Sequence, residues 1–86
     1  LYTDTLLGVY DRMDEKGFYE ETESSKRATY IMMSSKPDYK KADEIYLRAF
    51  KNNNKFNDAE LTITIIIYIH FIRLQPMKIK PSTKNA

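Results

Sequence analysis

The chain has 86 residues, 14 basic against 12 acidic side chains for a net charge of +2, and no cysteine. That length allows at most one small domain, which buries only about 60% of its unfolded surface. It excludes a disulfide framework and a thiolate zinc site, and so balanced a charge does not announce nucleic acid by electrostatics alone. Leu1 stands where an initiator methionine would, so the chain is expected to be a piece of something longer, and its compartment cannot be read from a leader.

Asp4 is placed to cap a first helix over about 4–16, in which Leu6, Val9, Tyr10 and Met13 recur at three- and four-residue steps and Gly17 offers a left-handed stop. Gly8 inside it is expected to cost about 1 kcal/mol relative to alanine, tolerable where a bare surface lets another helix approach. Glu20, Glu21 and Glu23 then crowd the positive end of a second helix. Lys26 and Arg27 follow one turn later to pair with Glu23, and Ala28, Ile31 and Met32 form the inward face. Ser35, Lys36, Pro37 and Asp38 read as a capping box with proline in the first turn of a third helix. Its apolar stripe is Tyr39, Ala42, Ile45, Tyr46, Ala49 and Phe50, with Glu44 and Arg48 as an exposed pair. Asn52, Asn53 and Asn54 end it, since asparagine tolerates left-handed backbone.

The stretch from Leu61 to Leu74 is apolar apart from His70 and Arg73 and its threonines. Six isoleucines between 62 and 72 suit a strand, but Asn57 to Glu60 spells a second capping box, the run is about twice the usual strand length, and Pro76 sits where a helix would stop. The spacing predicts a helix over about 58–74. Such a segment belongs in a core, against a larger partner or in a membrane anchor, and fourteen residues fall short of the roughly twenty that span a bilayer. From Arg73 onward Lys78, Lys80 and Lys84 meet no acidic residue, so 76–86 reads as an extended basic arm after a helical module over 1–75.

Shifting the chain by 36 residues lays Leu6, Val9, Tyr10, Arg12 and Met13 on Ala42, Ile45, Tyr46, Arg48 and Ala49. A shift of 35 lays Ala28 to Met32 on Ile63 to Ile67, which gives two helix types in alternation. The expected fold class is all-α, with antiparallel helix-turn-helix units forming a fragment of an α-solenoid.

Leu6, Val9, Tyr10, Met13, Lys16 and Gly17 resemble the second helix of a pentatricopeptide repeat, and Ala42, Ile45, Tyr46 and Ala49 echo it. Asn57 and Asp58, followed by Leu61, Thr62, Ile65 and Ile66, resemble that family's repeat boundary. The resemblance implies single-stranded RNA read one base per repeat, in mitochondrial or plastid RNA processing, translation or a ribonucleoprotein. It selects Lys26 or Arg27, Thr62, and Asn57 or Asp58, with Lys78 and Lys80 of the basic arm beside them, although helix capping also accounts for Asn57 and Asp58. The spacing of Ala42, Tyr46 and Ala49 is also similar to tetratricopeptide repeats, which implies a scaffold that binds protein through a helical groove. A small membrane-associated subunit anchored by 61–74 is the third reading.

Tyr2, Tyr19, Tyr30 and Tyr68 are candidates for stacking bases, whereas Tyr10, Tyr39 and Tyr46 lie on helix stripes. His70 stands alone, and the spacing of Asp11, Asp14 and Glu15 before Gly17 does not make a calcium loop. No nucleophile with its base and no phosphate-cradling glycine loop is present, so neither enzyme activity nor a cofactor or metal is expected.

Overall fold

A computed structural model describes residues 2–75. The basic arm at 76–86, with Lys78 and Lys80, lies outside the described residues. Within them the chain is all-α: α1 spans Tyr2–Glu15, α2 Ser24–Met33, α3 Tyr39–Lys51 and α4 Asp58–Arg73, with a single 3₁₀ turn at Glu21–Glu23 leading into α2.

Most helix ends are decided locally. Gly17, at φ +80°, closes α1, with the Phe18 amide donating to the Met13 carbonyl and the Gly17 amide to that of Asp14, the paired bonds of a Schellman stop. The capping box of α4 is complete: the Glu60 amide donates to Asn57 Oδ1 at 2.8 Å and the Asn57 amide to Glu60 Oε1 at 2.9 Å. This reciprocal start, with no neighbouring strand among the described residues to pair with, turns an isoleucine run that strand propensity would claim into a helix.

Other ends differ from expectation because tertiary contacts take the side chains away. Asp4 does not open α1; its carboxylate accepts from the Ser35 hydroxyl at 3.0 Å. Ser35 is thereby unavailable to cap α3, and Asp38 does so instead, accepting from the Lys41 amide at 3.0 Å with Pro37 just outside the helix. The asparagines after α3 end it without left-handed backbone, since no described residue other than Gly17 has positive φ. Glu21 and Glu23 lie in the 3₁₀ turn, with Glu20 just before it, rather than in the first turn of α2.

The core lies where α2 meets α3. Ala28 and Ile31 face Ala42, Ile45 and Tyr46, and the alanines let the two backbones come close. α1 runs antiparallel to α2, as the contacts show: Asp14 meets Arg27, Tyr10 meets Tyr30 and Asp4 meets Ser35. α4 joins through aromatic rings, with Phe71 and Tyr68 each 5.2 Å from the Tyr46 ring and Tyr68 5.3 Å from Phe50. The Tyr68 hydroxyl donates to Asp43 at 2.8 Å.

Several positions matched by the 35- and 36-residue shifts differ in burial. Ala42, Ile45, Tyr46 and Ala49 are buried, whereas α1 buries no residue completely and turns Leu7, Tyr10, Asp11 and Asp14 inward, keeping Tyr10 of the expected Leu6, Val9, Tyr10 and Met13 stripe. Ala28 and Ile31 are buried, whereas their counterparts Ile63 and Ile66 are exposed.

Candidate functional site

Two features have more chemistry than a small core needs. The first is a polar cluster that joins α1 to α2 and α3. Arg27, only 3% exposed, donates to Asp14 at 3.0 Å and to Asp11 at 2.9 Å, and its guanidinium lies 4.6 Å from the centre of the Tyr19 ring. Arg48 grips Asp14 with two bonds of 2.8 Å and donates from Nε to Glu21 at 2.8 Å. Tyr19 also bonds to the fully buried Ser24 at 2.6 Å.

The electrostatics follow the geometry. The Arg48 bonds, reinforced by Arg27 and opposed by burial, hold the Asp14 carboxyl at about 2, against 3.8 for the free side chain. Burial by itself would depress Arg27, but its bonds to Tyr19, Asp14 and Asp11 outweigh that and its pKa rises. Burial and then the hydrogen bond to Glu23 push Tyr10 up to about 12. Apart from the buried Arg27 Nε, which has no partner, the charged groups here are committed to each other, so the cluster holds helices together.

The cluster corrects several sequence expectations. Arg27 pairs with α1 rather than Glu23 and has no free face for a phosphate; Lys26 alone stays near Glu23, at 3.7 Å. Arg48 reaches Asp14 and Glu21 instead of pairing with Glu44. Tyr19 stacks under guanidinium groups, and Tyr68 lies among the core rings, so neither is displayed for a base. Tyr30 packs on Tyr10, and only Tyr2 of the four stacking candidates is well exposed. Of the remaining site residues, Asn57 is occupied as a cap, while Lys26, Asp58 and Thr62 are exposed. Asp58 and Thr62 sit one turn apart on α4, and Lys26 is on α2.

The second feature is α4 itself. Only Thr64 and Phe71 are buried on this 16-residue helix. Ile63, Ile65, Ile66, Ile69, Ile72 and Leu74 are between 43% and 77% exposed. Between α2 and α4 lies a shallow apolar groove of about 210 Å³, lined by Met32, Met33, Ile67 and Leu74 over a floor of Ala28, Tyr46 and Phe71, with His70 at its edge. A helix apolar around its whole circumference is ordinarily covered on every side. Burying a half-exposed isoleucine is worth about 1 kcal/mol, so the six together leave several kcal/mol unrealised in the chain alone. No described helix is long and apolar enough to cross a membrane.

Sequence reasoning treated 61–74 as one undivided apolar run and missed the order within it. Thr62, Ile65, Ile69 and Ile72 repeat at three-, four- and three-residue steps on the side away from the core, a signal that was present in the spacing. The polar cluster had no such signal, because its arginine–carboxylate partners lie 13 to 34 residues apart.

Comparison with protein-family models, curated proteins and solved structures finds no match for this chain.

Proposed function

We propose that the chain is a helical protein-interaction module in which α1–α3 form the base and α4 is the contact element. The observation that carries this reading is the exposure of five isoleucines on one well-capped helix and of Leu74 at its end, beside an apolar groove suited to a partner's side chains. Methionines at such a groove adapt to differently shaped apolar surfaces, and Met32 and Met33 stand there.

The test is the triple variant Ile65→Ser, Ile69→Ser, Ile72→Ser, unfolded by urea at submicromolar concentration. Residues reserved for a partner tolerate the change, and the stability of the isolated chain shifts by no more than about 0.5 kcal/mol per site. A loss of about 2 kcal/mol or more per site would place these isoleucines in an internal core and end the reading. Single-stranded RNA is the competing partner, since Lys26 and Thr62 remain exposed. A titration with mixed-sequence RNA in which binding falls with salt and with Lys26→Ala would transfer the function to RNA.

A further inference from the structure

We infer that the outer face of α4 pairs with α4 of a second copy of this chain, antiparallel and across a two-fold axis. The inference rests on the protein-interaction reading and names its partner.

At 100° per residue, Asp58, Thr62, Ile65, Ile69 and Ile72 fall within about 80° of the helix circumference, opposite Thr64 and Phe71. Steps of four, three, four and three are those of a coiled-coil seam, and isoleucine holds three of its positions. Placing the axis between Ile65 and Ile69 sets Ile65 against Ile69 of the second copy and Thr62 against its Ile72, so the face is complementary to itself, as a closed dimer requires.

Charge selects the direction. The first turn of α4 holds Asp58 and Glu60, and the last holds His70 and Arg73. Asp58 and Arg73 are both exposed and neither takes part in an ion pair among the described residues. The antiparallel alignment brings Asp58 of one copy within about one turn of Arg73 of the other, at both ends of the seam, and opposes the two helix dipoles. A parallel pair would instead set Asp58 on Asp58 and Arg73 on Arg73.

Sedimentation equilibrium of the full chain up to about 100 micromolar tests this, with a limiting mass of twice the chain's 10.2 kDa expected. Asp58→Arg weakens the dimer about tenfold, and adding Arg73→Asp to the same chain restores it, because reversing both charges recreates the pair. The absence of native cysteine allows a direct check of direction. A mixture of Thr62→Cys and Ile72→Cys chains forms the 62–72 disulfide, while Thr62→Cys alone forms none, its two copies lying about 15 Å apart. A disulfide from Thr62→Cys alone, mass growing without limit, or a monomer at the highest concentration would overturn the dimer. A monomer whose triple-serine variant stays stable overturns the dimer alone and leaves α4 for a different protein, whereas a destabilised triple variant removes both readings.

Discussion

The two outer helices attach by opposite means. α1 buries no residue completely and is held by carboxylates: Asp4 on Ser35, Asp11 on Arg27, and Asp14 on Arg27 and Arg48. α4 is the most apolar element of the chain, yet it docks through little more than Tyr68, Phe71 and Ile67 and leaves most of its isoleucines outside. Apolarity and burial have separated here. A polar helix is secured because its charges meet complementary donors on two neighbours, and an apolar one is loosely held because its neighbours offer it only one side.

The comparison can be broken first at Arg27. Arg27→Ala removes a nearly buried side chain with its bonds to Asp11 and Asp14, although Asp14 keeps Arg48 and Asp11 keeps Lys41, and is expected to cost about 3 kcal/mol, read from urea unfolding, with α1 becoming the first site of proteolysis. Phe71→Ala strikes the other attachment. It removes a buried ring from the contact with Tyr46, at an expected cost of about 3 kcal/mol, and cleavage then begins in α4 while α1 stays protected.

Acid separates the two helices more gently. Because the folded Asp14 titrates at about 2 and the free side chain at 3.8, its contribution is complete above about pH 4 and is lost as the pH falls toward 2. The loss is about 2 kcal/mol, measurable by unfolding at a series of pH values, and Arg48→Ala flattens that dependence. The smallest effect concerns Gly8, where an added methyl group would meet only the end of the Arg12 side chain at 3.6 Å. No helix approaches closely there, contrary to the expectation from sequence, so Gly8→Ala should stabilise the chain by about 0.5 to 1 kcal/mol in thermal unfolding.

Much of the secondary structure was legible because its causes are local. Gly17, Asn57 with Glu60, and the stripe from Tyr39 to Phe50 each act within a turn or two of helix, so α1 and α4 lie close to their expected limits of 4–16 and 58–74. The caps at Asp4 and Ser35 were not legible, since each competes with a partner 31 residues away. Among the candidate site residues, composition identified Arg27 as a cation but not its confinement by two carboxylates of α1. The pattern likewise identified Leu61 to Leu74 as an apolar helix without showing which side the bundle would cover.

The chain by itself therefore determined helix type, the ends at Gly17 and Asn57, and the α3 stripe, all set by hydrogen bonds and periodicity over a few residues. Only the tertiary structure decided the rotation of α1 and α4 about their axes. A helix carrying contacts on more than one face has several ways to dock, and the choice falls to where Arg27, Arg48 and Tyr46 stand in space.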